Sequence, residues 1–225
     1  PNIIPIHSVD EVGGFVFFAM AYVEGEPLAE RVRRRGPLPA SEAARVLREV
    51  AWALAHAHAH GVVHRDVKPD NILLEAGTGR ALVADFGIAA AALGGGGAAE
   101  VTGTPEFMSP EQALGKPADA RRDLYALGVS AYYALAGVLP FTGATPTEVL
   151  AKQVTEPPRA LTEVAGGVPR RIAQAVERCL AKDPGQRPAS AEAVSEQFGL
   201  ALDQRRELPV ALRAFVKHSS RLDGG

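Results

Sequence analysis

Apolar residues recur along the chain with helical spacing in several segments, which predicts a mostly helical protein. The clearest segment is 41–60, where Gly61 supplies the stop signal. Residues 123–137 are apolar nearly all round and predict a central buried helix. Segments 169–180 and 190–202 have the pattern of two amphipathic helices, and Ser190 is the expected cap of the second.

Short apolar runs in the first half of the chain predict a few strands. Residues 15–23, FVFFAMAYV, follow two glycines, and their length and composition favour a strand over a helix. A polar turn is expected at residues 24–27. The runs 72–74 and 81–83 are separated by a polar, Gly-containing segment, so we predict that they pair as a hairpin.

Two further segments carry local signals. The sequence Thr-Pro-Thr-Glu at residues 145–148 predicts a helix start with Thr145 as cap, Pro146 at the first helical position and a capping box. Four consecutive glycines at residues 94–97 predict a mobile surface loop.

Composition limits the class of protein. The 225 residues are 47% hydrophobic and 22% charged, which suits one soluble globular domain or one large lobe. With 24 basic and 26 acidic residues the formal charge is -2, so no basic surface for nucleic acid is expected. Cys179 is the only cysteine, and we expect it to be buried in a reducing compartment. No apolar run approaches the roughly 20 residues of a membrane span.

Two polar motifs flank the predicted hairpin. The sequence HRDVKPDN at residues 64–71 precedes the first strand, and DFG at residues 85–87 directly follows the second. The carboxylates of Asp66 and Asp85 therefore emerge from one hairpin. Phosphoryl transfer from ATP needs cations on the phosphates and a carboxylate aimed at the attacking hydroxyl. The hairpin can supply such groups.

A third motif, GTPEFMSPE at residues 103–111, completes a set that resembles the signature of eukaryotic-type (Hanks-type) Ser/Thr protein kinases, in a form associated with bacteria. The resemblance implies an α+β protein-kinase-like fold, with a mostly helical C-lobe plus the last strands and hinge of the N-lobe. Residues 1–23 would be the N-lobe remnant and hinge, residues 24–204 the C-lobe, and residues 205–225 a C-terminal linker.

The resemblance also implies roles for individual site residues. Asp66 would orient and deprotonate the substrate hydroxyl, and Lys68 would neutralise charge on the transferred phosphoryl group. Asn71 and Asp85 would hold Mg²⁺ ions, and Thr104 would contact Asp66 and Lys68. ATP and Mg²⁺ are the implied cofactors, and proteins with Ser or Thr hydroxyls are the implied substrates. The expected location is cytoplasmic.

Nucleotide contacts are implied at the end of the first predicted strand. Met20 matches the gatekeeper position, and backbone groups of Ala21 and Val23 match the hinge that meets the adenine ring. Phe86 is expected to pack inward and set the pose of Asp85. Gly87 would let the backbone swing at the start of the activation segment.

Other matches concern support and regulation. Glu111 resembles a buried carboxylate that pairs with an arginine late in the lobe, here Arg187. Asp123 resembles the aspartate that anchors the backbone of the catalytic loop. Arg65 suggests regulation by a phosphate, and Thr102 is the phosphorylation site that the sequence offers.

The kinase pattern also includes a Gly-rich loop, a strand lysine and a helix glutamate, and none of them lies in these 225 residues. Residues 1–4 resemble the turn that follows the glutamate-bearing helix. We therefore expect a fragment of a longer kinase, inactive by itself, with apolar faces exposed on the run 15–23. A membrane tether beyond Gly225 and a kinase dimer are further expectations.

Alternative functions stay open. One is a pseudokinase-like binding or scaffold module, against which the intact Asp66, Lys68, Asn71 and Asp85 argue. Another is a small-molecule phosphotransferase of a related fold, although the segment 104–111 favours the protein kinases.

Two clusters have plainer interpretations. The histidines at positions 56, 58 and 60 have no further ligand at a suitable spacing, so we expect no metal site there. The arginines at positions 31 and 33–35 are interpreted as a solvated turn, with substrate contact as the alternative.

Overall fold

The computed structural model describes residues 1–13, 15–86, 104–117 and 119–203. Its helices are α1 (Leu28–Arg35), α2 (Ala40–Ala59), α3 (Pro110–Ala113), α4 (Arg121–Ala136), α5 (Pro146–Thr155), α6 (Leu161–Val164), α7 (Arg170–Cys179) and α8 (Ala191–Asp203). Its strands are β1 (Ile6–Val12), β2 (Phe15–Met20), β3 (Gly25–Pro27), β4 (Ile72–Glu75) and β5 (Ala81–Val83). Single turns of 3₁₀ helix lie at Pro69–Asn71, Pro105–Phe107 and Pro184–Gln186.

The predicted long helices form the core. In α2 the side chains of Val46, Leu47, Val50 and Leu54 are fully buried, because apolar residues at spacings of three and four lie on one face of a helix. Helix α2 packs against α4 and α8, and α4 packs against α7. Gly137 ends α4 in the left-handed conformation, which costs glycine little. None of the helices in the described ranges is long and apolar enough to cross a membrane.

The predicted caps form, with one difference. Thr145 Oγ1 accepts a hydrogen bond from the Glu148 N–H at 3.2 Å, and Ser190 Oγ accepts one from the Ala193 N–H at 3.3 Å. The Glu148 carboxylate accepts from the Ala144 N–H, one residue earlier than a capping box requires.

The hairpin of β4 and β5 is confirmed, with Ile72 opposite Val83. The polar turn expected at residues 24–27 is wrong, because Gly25–Pro27 is a third strand that pairs with β4. A Cβ atom at Gly25 would lie only 2.1 Å from the Leu74 carbonyl oxygen, so the close approach needs glycine. The arginines at 31 and 33–35 do not lie in a turn as expected, because they belong to α1, whose Leu28 and Val32 are buried. The expected exposure to solvent holds for Arg33, Arg34 and Arg35.

The start of the chain forms a second, two-stranded sheet. Strand β1, which the sequence pattern did not predict, pairs antiparallel with β2. Both strands are largely exposed, as the exposure of Phe15 at 79% illustrates, and this agrees with the expected apolar faces. The segment before β1 lies on β5: the Ile4 N–H donates to the Val83 carbonyl at 3.0 Å, and buried Asn2 donates to the Ala81 carbonyl at 2.8 Å.

Two buried groups match their predictions. Cys179 is 1% exposed, and burial raises the pKa of its thiol to about 12. Arg187 and Glu111 form a bidentate pair with both N–O distances at 2.7 Å. Burial raises the pKa of Glu111, but the hydrogen bonds from Arg187 and its charge outweigh that effect, and the pKa lies below its usual value.

Arg187→Met should lower the free energy of unfolding by about 3–5 kcal/mol, because it leaves the Glu111 carboxylate buried without its cation. The control is Arg33→Met, which removes an exposed pair with Glu30 and should cost less than about 1 kcal/mol. Urea denaturation of the full-length protein measures both. Equal losses of unfolding free energy in the two variants would contradict a stabilising role of the buried pair of Arg187 with Glu111.

Because folding lowers the pKa of Glu111, its contribution to stability is complete above the ordinary glutamate pKa and is lost as pH falls through the lowered value. The difference in unfolding free energy between the parent and a Glu111→Gln variant should therefore shrink as pH falls below about 4. Urea titrations at several acidic pH values measure it. A difference that does not change with pH would exclude this linkage.

Candidate active site

The backbone of the loop at residues 64–71 is held by one buried carboxylate. Asp123, 1% exposed in the first turn of α4, accepts hydrogen bonds from the His64 N–H at 2.8 Å and the Arg65 N–H at 2.9 Å. This is the contact that the sequence predicted for Asp123. The same carboxylate contacts His58 Nε2 of α2 at 2.8 Å, a partner that the sequence did not predict.

His64 joins this loop to the end of β5. Its Nε2 lies 2.8 Å from the Ala84 carbonyl oxygen, and a carbonyl only accepts, so Nε2 carries the proton. Nδ1 is then the acceptor of the Asp66 N–H, at 3.2 Å. The imidazole ring also packs against Phe86, with ring centroids 4.5 Å apart, so Phe86 packs inward as expected.

Four predicted site residues meet in one partly buried group, three from this loop and Thr104 from a later segment. Lys68 Nζ lies 2.6 Å from Asp66 Oδ2 and donates to Thr104 Oγ1 at 3.1 Å. Asn71 Nδ2 donates to the Asp66 carbonyl at 2.8 Å and to Asp66 Oδ2 at 3.2 Å. Among the hydrogen bonds of the described residues, Thr104 reaches Asp66 only through Lys68. The site therefore combines a carboxylate, an ammonium group, an amide and a hydroxyl.

The backbone is strained on both sides of this group. Arg65 has φ = 73° and Asp85 has φ = 60°, and they are the non-glycine residues with positive φ in the described ranges. Residues other than glycine rarely adopt a positive φ. Such a conformation persists where surrounding contacts enforce it, commonly at functional sites. Residue type alone gives no signal for it.

Asn71 and Asp85 offer a donor set that suits Mg²⁺. The Asn71 Nδ2 group donates its hydrogen bonds to Asp66. The Asn71 Oδ1 atom is therefore left to accept a hydrogen bond or to bind a cation. Asp85 is exposed at the end of β5. Mg²⁺ is commonly bound by one or two protein oxygens together with substrate phosphates, so a site with few protein ligands fits this ion. In the described ranges, no group of three or more His, Cys, Asp and Glu side chains could hold a metal by itself.

The residues expected to meet adenine lie close to the same strand end. Ala21 and Val23 pack on a small apolar cluster of Ile4, Leu82 and Ala84, directly before Asp85. The Ala21 N–H donates to the Pro5 carbonyl at 2.9 Å, so its own carbonyl is the group left to face a ligand. The roles of Met20, Ala21 and Val23 in nucleotide binding stay predictions.

Some predicted features lie outside this group. The His60 ring bonds to the His56 carbonyl, and the His58 ring bonds to Asp123, so two of the three clustered histidines have protein partners. Gly87, Thr102, the glycines at 94–97 and the linker 205–225 lie outside the described residues.

Comparisons with known proteins agree on one family. The model of the protein kinase domain matches residues 1–199. The serine/threonine-protein kinase pkn3 of Myxococcus xanthus is 38% identical over 99% of this chain and 43% of its own length. PrkC of Bacillus subtilis is 34% identical over 92% of this chain and 32% of its length. PknB of Mycobacterium tuberculosis is 37% identical over 83% of this chain and 31% of its length. The chain thus spans less than half of these relatives.

A solved structure supports the same fold. The crystal structure of the PknI kinase domain of Mycobacterium tuberculosis matches with a TM-score of 0.70 and 30% identity, over 89% of this chain and 72% of that chain. The expected protein-kinase fold is therefore confirmed.

Asp123→Ala should lower the free energy of unfolding by about 2–4 kcal/mol, because the His64 and Arg65 N–H groups lose their acceptor in a buried place. Exposed Asp119 provides the matched control at the start of the same helix: its side chain accepts from the Arg121 N–H, and Asp119→Ala should cost about 1 kcal/mol or less. Hydrogen exchange of the amides at 64 and 65 should speed up only in Asp123→Ala. Equal exchange in both variants would contradict the anchoring role.

Proposed function

The chain belongs to the bacterial Hanks-type Ser/Thr protein kinases, and we propose that its full-length protein transfers the terminal phosphoryl group of ATP to Ser or Thr hydroxyls of proteins. The observation that carries the proposal is the meeting of Asp66, Lys68, Asn71 and Thr104 in one partly buried group. Polar groups that converge in this way have a clear use in phosphoryl transfer, where positioning and charge stabilisation provide most of the catalysis.

Asp66 would receive the substrate hydroxyl. Its side chain is 36% exposed, and its contacts with Lys68 and Asn71 use Oδ2. Within the described residues, Oδ1 has no hydrogen bond, so it is the atom that accepts the proton of an incoming hydroxyl. The Asn71 amide and the Lys68 ammonium hold the carboxylate through Oδ2, and the bonds of the Asp66 backbone to His64 and Asn71 hold its main chain.

Lys68 places a positive charge beside the same oxygen. Its ammonium group lies between Asp66 and Thr104, and it is partly exposed. A cation here can neutralise charge on the phosphoryl group as it moves toward the hydroxyl. Thr104 limits where the ammonium can lie.

Nucleotide and metal binding would use the other side of the site. Asn71 Oδ1 and the Asp85 carboxylate would hold Mg²⁺, which when bound neutralises the phosphate charges. Backbone groups of Ala21 and Val23 would bind adenine, beside the strand end that carries Asp85. The positive φ of Asp85 interrupts the course of a regular strand at this residue.

The wider biology stays at the level of prediction. Lys68, two residues after Asp66, fits the Ser/Thr subclass. A cytoplasmic kinase domain, a membrane tether beyond residue 225, a kinase dimer and phosphorylation at Thr102 are the corresponding proposals for the full-length protein.

Asp66→Asn tests the proposal directly. The variant should lower kcat for phosphorylation of a protein substrate by about 10²–10⁴-fold, because it removes the proton acceptor, and should leave the affinity for Mg²⁺–ATP within about threefold. Radiolabel transfer and nucleotide binding to the full-length protein measure the two quantities. The matched control is Asp70→Asn, an exposed residue of the same loop, which should keep its activity. Turnover in Asp66→Asn equal to that of the control would refute the role of Asp66.

A further inference from the structure

The single turn Pro105–Phe107 lies beside the proposed site for the substrate hydroxyl. It directly follows Thr104, whose hydroxyl accepts from Lys68 at 3.1 Å, and Lys68 contacts Asp66 at 2.6 Å. A polypeptide that delivers a hydroxyl to Asp66 therefore comes close to this turn. Its position should affect how protein substrates bind.

One buried glutamine holds the turn through the Glu106 carbonyl. Gln153 of α5 is fully buried, and its Nε2 donates to the Glu106 carbonyl at 2.7 Å. Its Oε1 accepts a hydrogen bond from the Tyr125 hydroxyl of α4. The two bonds require opposite ends of the amide, so a rotated side chain would place an oxygen against the Glu106 carbonyl. The amide therefore has one favourable orientation.

Lys182 fixes the helix that carries this glutamine. Its ammonium group donates to the Gln153 backbone carbonyl at 2.6 Å and lies 3.9 Å from the centre of the Phe141 ring. Burial first, and the charge of Arg187 second, lower the pKa of Lys182 to about 8, so most of the group is charged at pH 7 and can donate. The Arg187 guanidinium in turn lies over the Tyr125 ring.

We propose that Gln153 is a positioning residue for protein substrates, which holds the turn Pro105–Phe107 where an incoming polypeptide meets it. The inference rests on the proposed kinase function. Gln153 has no bond to Asn71, Asp85 or the hinge among the hydrogen bonds of the described residues. Its loss should therefore change the KM for a protein substrate and leave the KM for ATP unchanged.

Gln153→Met in the full-length protein tests this, because methionine keeps the length of the side chain and removes both hydrogen bonds. With casein as the protein substrate and radiolabelled ATP, the KM for casein should rise about tenfold, while kcat and the KM for ATP stay within about twofold. Tyr125→Phe keeps the bond to Glu106 and should raise the KM for casein by a smaller factor.

The matched control is Tyr132→Phe. Tyr132 lies on the same helix α4, and its hydroxyl bonds to the Arg159 carbonyl instead of Gln153. This variant should leave the KM for casein unchanged. A KM for casein in Gln153→Met that equals that of the parent overturns the inference. Parallel increases in both KM values, with the same loss of stability as in the control, also overturn it, because they indicate a purely structural role.

Hydrogen exchange separates failure of the inference from failure of the kinase function. In Gln153→Met the amides at residues 106–108 should exchange faster, and those at residues 43–55 in α2 should not change. Exchange at 106–108 that matches the parent overturns the inference whatever the activity. A second outcome is that the parent protein transfers no phosphate to proteins, while Gln153→Met still speeds exchange at residues 106–108. This outcome contradicts the kinase function and, with it, the role of Gln153 in substrate binding. Gln153 would then be a structural residue.

Discussion

The candidate site depends on the hydrogen bonds between the buried Asp123 carboxylate and the backbone of the loop at residues 64–71. A charged group without water is costly unless hydrogen bonds replace the lost solvent, and Asp123 receives them from the His64 and Arg65 N–H groups and from His58. Because the carboxylate belongs to the central helix α4, which is buried along most of its length, this requirement fixes the loop to the core of the fold. Asp66 follows Arg65 directly, so the same bonds also hold the backbone at Asp66.

The strained backbone at Arg65 and Asp85 follows from the same constraint. An unusual φ persists only where neighbouring contacts exclude the relaxed alternatives. Asp123 fixes the loop on one side, and the His64 ring ties it to the Ala84 carbonyl on the other. The side chains of the candidate site thus lie on loops, whereas a helix and a hairpin set their positions.

Sequence patterns predicted the parts that depend on local signals. Long amphipathic helices, the hairpin and the bound pair of Glu111 and Arg187 could be predicted, the last through a family resemblance. Strand β3 was missed because it has three residues and forms by pairing with the distant β4, as the contact of Gly25 with Leu74 illustrates. Strand β1 was missed because polar residues separate Ile6, Val9 and Val12, so it has neither an apolar run nor an alternation of period two. Likewise, no spacing along the chain shows that His58 meets Asp123 or that Gln153 meets Glu106, since each partner lies far away in sequence.

The proposed reaction at this site is transfer of a phosphoryl group to Ser or Thr. The most direct measurement is phosphoamino-acid analysis of protein substrate after incubation of the full-length protein with Mg²⁺ and ATP labelled on its terminal phosphate. Label is expected on phosphoserine or phosphothreonine, and none when Mg²⁺ is removed by a chelator. Tight nucleotide binding without any labelled protein, or label found on tyrosine alone, would contradict it.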